Sequence, residues 1–445
     1  MPRRFLLNIN FVFIATLAGN TIGFGVAILL ARALGPEGRG VAALYQAAVA
    51  LGFAFLNLGI SGASFYFVAR RDLNGRQAME AGLTVSLVAG FVAVLGVLVT
   101  ALVFEERLEG KDIPYGLAIL SVPAFIQLRL TTALLRAEGR FGAMNAVDLL
   151  LPLSMLACLG GVEVVSGLTV RSAVWAWSLA FLPPVALAYA LLGPRYWPRS
   201  LAPKSLLVKA VRFGGQSQVT TLIQLLNYRL DVFLILVLVN TTGVGLYTVA
   251  TSQTEGIWII ADSVAIVLLT NITAGDAANA ARMTPIVCRS TLLVSAVVAL
   301  VAALIAGIWI PAVFGSAYRD SVMPYVWLLP GTVAFSGSKI LAAYVFSRGR
   351  PIINAWIALA TLVVSVPATV VLTRLFGVSG AAAGTSLGYC LNLALTAAAY
   401  RVLSGEPAMA ALLPQKSDAA LYAGGLRSLL RRLRNRGAAQ VPVGF

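Results

Sequence analysis

Apolar runs long enough to cross a lipid bilayer recur along the whole length of this 445-residue chain. A helix rises about 1.5 Å per residue, so roughly 20 apolar residues cross a hydrocarbon core of about 30 Å. Hydrophobic residues make up 59% of the chain and charged residues only 11%, whereas charged residues make up about a quarter of a soluble domain. The sequence lacks the short alternating segments of a membrane barrel, which leaves helices as the spanning element. It therefore predicts an all-α integral membrane protein.

Twelve of these runs are predicted as membrane spans, and short polar loops separate them. The longest connection follows the sixth span, so we expect two pseudo-symmetric lobes of six helices around a central cavity. We place the spans at 8–33, 41–68, 78–104, 114–136, 143–166, 172–193, 213–239, 245–272, 286–310, 322–347, 351–376 and 380–403. The predicted organisation is an N-lobe at 1–193, a cytoplasmic inter-lobe linker at 194–212, a C-lobe at 213–403 and a basic tail at 404–445.

The basic tail contains the segment LRSLLRRLRNRG, which starts at Leu426. On a helix its leucines and arginines fall on separate stripes, which is typical of an amphipathic helix lying on an anionic leaflet. Gly424 and Gly425 fit a disordered basic tail equally well. Both interpretations of the tail remain open.

The formal net charge of +16 is spread unequally between the loops on the two sides of the membrane. Most of the 33 Lys and Arg residues lie in loops on one side of the predicted spans, and the opposite loop 105–112 is net acidic. By the positive-inside rule the basic loops are cytoplasmic, which places both termini in the cytoplasm of a multi-pass inner-membrane protein. The charge thus indicates topology and contact with anionic lipid of the inner leaflet, and not nucleic-acid binding.

Cysteine and histidine usage excludes several kinds of site. The three cysteines show no metal-ligand spacing, and the chain contains no histidine. A disulfide framework, a His-based metal site and a His general base are therefore excluded, and we expect no metal and no cofactor. We also expect no catalytic residue, because no nucleophile motif or phosphate-binding loop is present.

The two halves of the chain show short internal matches. An offset of 210 residues places Gly139-Arg140 on Gly349-Arg350, and an offset of 205 places Gly40 on Gly245. Because six is an even number of spans, such halves would be parallel repeats related by an axis along the membrane normal. Chance similarity between apolar segments is the alternative.

Charged residues lie inside the seventh and eighth spans, where a charge is costly unless it faces protein or a watery cavity. If these spans form a hairpin, Arg229 and Glu255 lie at nearly the same depth, so we predict an ion pair between them. Asp231 and Asp262 are then left as acids that could couple transport to an ion. The alternative is that all four side chains only hold helices together.

Uncharged polar residues add a predicted cavity face. Gln224 and Asn227 share the face of Asp231 on the seventh span, and Thr16 and Asn20 lie four residues apart on the first span. Hydrogen bonds between helices are the alternative role for such residues.

Two further cations coincide at the 210-residue offset, Arg129 in the fourth span and Lys339 in the tenth. If the repeat is real, they present positive charge at equivalent depth, and a diphosphate held between the lobes would suit both. The alternative is that each pairs with an intramembrane carboxylate, such as Asp148 for Arg129.

Four segments resemble a known family. They are LARALGPEGRGVAALYQ, LLVKAVRFGGQSQVTTLIQLLNYRLDVFLILVLVNTTGVGLYTVA, PAVFGSAYRDSVMPYVWLLPG and FGVSGAAAGTSLG. Together they are similar to the polysaccharide/O-antigen (Wzx-type) lipid-linked oligosaccharide flippases of the multidrug/oligosaccharidyl-lipid/polysaccharide exporter superfamily. Of the residues above, only Asp231 lies on a motif position of that family.

The resemblance implies a MATE-like fold of twelve helices that moves a polyprenyl-diphosphate-linked oligosaccharide to the outer leaflet by alternating access. It implies a transporter and not an enzyme, with a possible proton or sodium counter-ion and polysaccharide synthesis proteins as possible partners. A cation-coupled multidrug exporter of the same fold is one alternative. A membrane-embedded polysaccharide polymerase or ligase is another, although the outer loops are short for a catalytic constellation.

Overall fold

The computed structural model describes residues 3–103, 118–274, 277–413 and 415. The regular elements in these ranges are α-helices and two short 3₁₀ turns, Pro194–Tyr196 and Ser316–Ser321. The helices in chain order are α1 Arg3–Leu56, α2 Ile60–Ala69, α3 Gly75–Val103, α4 Ala118–Ala137, α5 Phe141–Ser166, α6 Val170–Leu179, α7 Leu182–Leu192, α8 Lys204–Leu238, α9 Thr241–Ala274, α10 Ala277–Phe314, α11 Val322–Ser347, α12 Pro351–Ser404 and α13 Ala408–Leu412.

The two longest helices, α1 and α12, each contain 54 residues and one sharp kink. A straight helix of that length would measure about 80 Å, more than twice a hydrocarbon core. The kinks lie at Gly35, with φ 65°, and at Gly377, with φ 60°, a backbone conformation that glycine adopts without a steric penalty. Each kink therefore divides its helix at a predicted boundary between two spans.

Eight helical stretches within the described residues are long and apolar enough to cross a membrane by length and composition. Their surfaces suit lipid. On α10, Leu300, Leu304 and Ile308 recur every four residues and expose most of their side-chain surface. Such a face is unfavourable in water and favourable against acyl chains. The all-α membrane architecture is confirmed, while the count of twelve spans stays a prediction.

The residues group into two compact units. The first contains residues 1–256, 302–329 and 358–388, and the second contains 257–301, 330–357 and 389–445. This division cuts through continuous helices, so it does not test the predicted six-helix lobes. The predicted acidic loop 105–112 and the leucine and arginine stripes of the tail lie outside the described residues.

A buried hydroxyl cluster holds α1, α4 and α6 together in the first unit. The Tyr45 hydroxyl lies 2.8 Å from the Oγ atoms of both Ser121 and Ser178. Around it pack apolar residues such as Ile60 and Ile126. The three hydroxyl groups hydrogen-bond to one another inside an apolar core, which offsets the cost of burying them.

The core of the second unit joins α10, α11 and α12. The rings of Tyr344 and Tyr400 meet edge to face with centroids 4.9 Å apart. Cys288 and Leu341 are buried beside them, and the Tyr400 hydroxyl donates to the Ala281 carbonyl at 2.9 Å. This packing fixes the helices that carry Lys339 and its neighbours.

Candidate functional site

Two glycines form a close crossing between α1 and α9. A Cβ added to Gly40 would lie 2.0 Å from the Thr241 carbonyl oxygen, and one added to Gly245 would lie 1.8 Å from the Pro36 carbonyl oxygen. The 205-residue offset maps Pro36 onto Thr241 as well as Gly40 onto Gly245. The contact is therefore reciprocal, as it is across a two-fold axis in a symmetric dimer. Only residues without a Cβ allow the two backbones this close.

A cavity of about 180 Å³ adjoins this crossing. That volume corresponds to roughly six water molecules. Four pairs of its lining residues keep the same 205-residue offset, namely Ala43 with Thr248, Gln46 with Thr251, Ala47 with Ser252 and Ala50 with Glu255. The cavity therefore spans the local pseudo-symmetry axis, with mostly small apolar residues from α1 and polar residues from α9.

Arg39 lines this cavity and is a functional candidate that was not predicted from the sequence. Its side chain is 7% exposed, and its Nε and Nη1 atoms are buried without a hydrogen-bond partner in the described part of the chain. An unpaired buried guanidinium is costly, so such a group points to a ligand or to another conformational state. The sequence placed Arg39 in a loop. Its position directly before the matched Gly40 was the available signal.

The predicted ion pair between Arg229 and Glu255 is present, with Nη1 and Oε1 3.4 Å apart. Both side chains line the cavity and remain about one-third exposed. The charged residues in the lining are Arg39, Arg229 and Glu255, which leaves one excess positive charge. Asp231, outside the lining, interacts electrostatically with both Arg229 and Glu255 and offsets this excess, which leaves Arg39 as the lining cation without a carboxylate partner in the described residues.

Asp231, two residues from Arg229, lies in a different environment. Its carboxylate is buried and accepts hydrogen bonds from the Val232 backbone N–H, at 2.8 Å, and from the Tyr247 hydroxyl. The Tyr247 hydroxyl also lies 3.0 Å from Thr385 Oγ1, so Asp231 links α8 to α9 and α12. Tyr247 and Thr385 both lie in segments that resemble the flippase family, but the sequence assigned neither residue a role. The proposed coupling role for Asp231 stays a prediction.

Arg129 occupies the middle of α4 with an exposed side chain. Its guanidinium lies over the Phe125 ring, 5.1 Å from the centroid. No direct ion pair joins it to Asp148, but the Asp148 carboxylate lies close enough to attract the guanidinium electrostatically. A cation in the middle of a membrane helix, held over an aromatic face and without a direct ion pair, is available to an anionic ligand.

Lys339 differs, because its Nζ lies 2.6 Å from Asp262 Oδ1. The ammonium also lies 5.1 Å from the Trp258 ring centroid and 5.6 Å from that of Phe335. The expectation that Asp262 is an unpaired, desolvated acid is therefore wrong, because the carboxylate pairs with Lys339 and is 54% exposed. Hairpin counting along α8 and α9 could not detect a partner on α11.

The predicted polar face is only partly assembled. The side chains of Thr16, Asn20 and Gln224 are exposed. Asn227 donates instead to the backbone carbonyls of Ile223 and Ala358, each at 3.0 Å. Its amide thus joins α8 to α12, which is the structural alternative for such residues. In the residues searched, no group of three or more His, Cys, Asp or Glu could hold a metal ion.

Comparison with known proteins places these features in a family context. Residues 5–268 match the model of a family described as polysaccharide biosynthesis protein. A probable low-salt glycan biosynthesis flippase from Haloferax volcanii, Agl15, is 22% identical over 403 residues, which cover 87% of this chain and 81% of the relative.

Solved structures show the same fold. An inward-facing multidrug resistance MATE family transporter of the MOP superfamily aligns with TM-score 0.71 and 16% identity, over 87% of this chain and 94% of the other. The inward closed conformation of the lipid II flippase MurJ aligns with TM-score 0.69 and 12% identity, over 87% of each chain. At these identities the likeness establishes the membrane fold and nothing finer.

Proposed function

The chain belongs to the polysaccharide biosynthesis protein family, and on that premise we propose that it is a lipid-linked oligosaccharide flippase. Its substrate would be a polyprenyl-diphosphate-linked oligosaccharide, which it moves from the cytoplasmic to the outer leaflet for cell-surface or exopolysaccharide synthesis. The names of Agl15 and MurJ, both called flippases, support this class of transport.

Arg129 is the observation that carries the proposal. It is an exposed arginine at mid-helix without an ion-pair partner in the described residues, in a chain with few intramembrane charges. A guanidinium offers two parallel N–H donors to a phosphate, and that bond is stronger where water is scarce. The sugar and diphosphate would occupy a polar path inside the protein, while the lipid tail stays in the bilayer.

Lys339 is the second proposed diphosphate-binding cation, and its ion pair changes how it would act. To bind a phosphate, the ammonium must exchange Asp262 for the ligand or share it. The pair is partly exposed, which keeps the energy of that exchange small. We therefore propose that Lys339 responds to the substrate, whereas Arg129 is ready to bind it.

Alternating access between twelve helices in two lobes is the proposed mechanism. Gly40 and Gly245 lie at the predicted outer ends of their spans, so their crossing would close the outer side and must separate for release. Asp231 is the proposed coupling group for a proton or sodium ion. The Asp231 carboxylate accepts a hydrogen bond from the Tyr247 hydroxyl, which also contacts the Thr385 hydroxyl. A change in the charge of Asp231 would therefore alter contacts among three helices.

The test measures transport of a fluorescent polyprenyl-diphosphate oligosaccharide in reconstituted vesicles. The fraction of the probe that an external quencher can reach shows which leaflet holds it. We expect the wild type to move the probe. The transport rate of the double variant Arg129→Ala/Lys339→Ala should be at least tenfold lower than that of the wild type. Arg171→Ala, which removes another exposed arginine outside the predicted spans, should retain wild-type transport.

Thermal unfolding of each purified variant separates loss of transport from loss of folding. Unchanged transport by a folded double variant would refute the anion site. Movement of a cationic dye without movement of the lipid-linked probe would favour the multidrug exporter instead.

A further inference from the structure

A second, larger cavity lies on the predicted cytoplasmic face, and its lining includes none of the residues proposed for transport. It measures about 700 Å³ and lies where the connections around α3, α4 and α7 meet. Three arginines and a single carboxylate are the charged groups in its lining, namely Arg71, Arg76, Arg195 and Glu138. We call it the arginine basin. Its lining carries an excess of two positive charges.

The side chains of Arg71 and Arg76 have no hydrogen-bond or ion-pair partner in the described part of the chain, and the Arg76 Nε is buried. Other arginines on this face are engaged. Arg140 donates to the Leu191 carbonyl at 2.8 Å, and Arg70 lies 3.8 Å from Asp72. Two neighbouring arginines thus remain available in one cavity.

The single carboxylate of the basin is already occupied. Glu138 accepts a hydrogen bond from the Tyr196 hydroxyl and lies 3.9 Å from Arg195. Arg195 in turn lies over the Tyr196 ring, 5.4 Å from its centroid. Glu138 therefore offsets Arg195 and leaves Arg71 and Arg76 without a compensating charge.

The wall of the basin depends on tight packing. A Cβ added to Gly75 would lie 1.9 Å from the Tyr196 ring, so glycine is required for the ring to lie there. Arg71 adopts a left-handed backbone conformation, with φ 63°, which is unfavourable for a residue with a side chain. The same turn leads into α3, whose positive N-terminal end adds to the field of the arginines.

We propose that the arginine basin binds the phosphoryl group of an anionic ligand at the cytoplasmic face. Its volume accommodates a whole phosphoglycerol headgroup and is far larger than a single ion needs. Basic pockets at the cytoplasmic ends of membrane helices suit anionic lipid headgroups. A soluble phosphorylated molecule presents the same chemistry, so the experiment must distinguish the two sources. This proposal does not rest on the flippase assignment.

The experiment uses the full-length, delipidated protein in detergent, with bound lipid counted by native mass spectrometry. We expect phosphatidylglycerol to bind at least tenfold more tightly than phosphatidylcholine. The double variant Arg71→Asn/Arg76→Gln should lose at least tenfold in affinity for phosphatidylglycerol. Asparagine tolerates the left-handed conformation, so it removes the cation without adding strain. Arg140→Gln is the matched control and should stay within twofold of wild type.

Glycerol 1-phosphate identifies the source of the phosphoryl group. Failure to displace the lipid at millimolar concentration assigns the site to a headgroup held in the membrane, and displacement assigns it to a soluble phosphate. Equal affinity of the double variant and wild type would overturn the proposal. An equal loss in Arg140→Gln would do the same, because it would reduce the effect to general surface charge.

A crosslinking measurement on the wild type covers the case in which the double variant does not fold. A photoactivatable phosphatidylglycerol should label the peptides that contain residues 71–76 and 194–196. Labelling confined to other peptides would overturn the proposal.

Discussion

The cations Arg129 and Lys339, which the 210-residue offset makes equivalent, lie in different surroundings. Arg129 is exposed over one aromatic ring and makes no direct ion pair in the described residues, although Asp148 attracts it electrostatically. Lys339 contacts Asp262 at 2.6 Å and lies near two aromatic rings. Equivalence in sequence thus sets the sign and the helix of the charge, while the neighbouring helices decide whether that charge is neutralised.

The backbone crossing shows the opposite behaviour, because there the two halves act alike. Gly40 meets the Thr241 carbonyl as Gly245 meets the Pro36 carbonyl. The two halves are therefore alike in backbone packing at the glycine crossing and unlike in the side-chain contacts of the two cations. Four experiments would break or sharpen this comparison.

The largest effect is expected at the glycine crossing. Gly40→Ala and Gly245→Ala should each destabilise the protein by about 3 kcal/mol or more, because the added Cβ would overlap a carbonyl oxygen and force the helices apart. Thermal unfolding measures the effect. The double variant should lose less than the sum of the single losses, since one separation relieves both clashes.

Gly307→Ala is the control for the crossing. It lies within α10 with no neighbouring atom within 4 Å of an added Cβ, and should be neutral or slightly stabilising. A clear difference between Gly40→Ala and Gly245→Ala would show that the two halves are not equivalent even in their backbones.

The second effect concerns a polar contact that the first half lacks. At the 205-residue offset Asp231 and Tyr247 correspond to Val26 and Ala42, both buried and apolar. Tyr247→Phe should cost about 2 kcal/mol of stability, because the buried carboxylate loses a donor. Adding Asp231→Val should recover much of that loss, since an apolar pair needs no hydrogen bond.

Tyr344→Phe is the matched control for Tyr247→Phe. Tyr344 is buried, but its hydroxyl makes no hydrogen bond in the described residues, so its removal should change stability by less than about 0.5 kcal/mol. Equal losses in the two variants, measured by chemical or thermal unfolding, would contradict a role for the Asp231 contact.

The third effect separates the two equivalent cations. Arg129→Gln should lower the transport rate at least tenfold, equivalent to about 1.4 kcal/mol, with little change in stability. Lys339→Gln should lower transport less than Arg129→Gln and leave Asp262 without its cation. Vesicle transport measures both. Equal losses of transport in the two variants would mean that breaking the Lys339–Asp262 ion pair requires no measurable free energy.

The smallest effect is a pH dependence at Tyr196. Burial, followed by the hydrogen bond to Glu138, raises the pKa of Tyr196 to about 12. Because the folded pKa is above the unfolded value of about 10, this contribution is complete below pH 10 and is lost as the pH rises through 12. Between pH 9 and 11 the free energy of unfolding of the wild type should therefore fall by about 1 kcal/mol more than that of Tyr196→Phe.

Unfolding midpoints across this pH range test the prediction. Glu37→Gln, which removes an exposed acid that contacts no tyrosine in the described residues, is the control and should leave the alkaline profile unchanged. Parallel profiles for Tyr196→Phe and wild type would show that the Tyr196 hydroxyl does not stabilise the folded state.

The sequence by itself determined the membrane class, the all-helical architecture and the Arg229–Glu255 pair. Composition and run length decide the first two, because a bilayer admits few spanning structures. The pair was predictable because a short turn joins its two helices, so counting residues gives their relative depth.

Only the tertiary structure decided which charges stay free. Lys339 and Asp262 are 77 residues apart, and Tyr247 and Thr385 are 138 apart, so helical periodicity carries no information about their contact. The burial of Arg39 likewise follows from the close crossing of α1 and α9 beside it. Local rules reach along one helix or across one hairpin, whereas the pairing of intramembrane charges depends on helices that are distant in sequence.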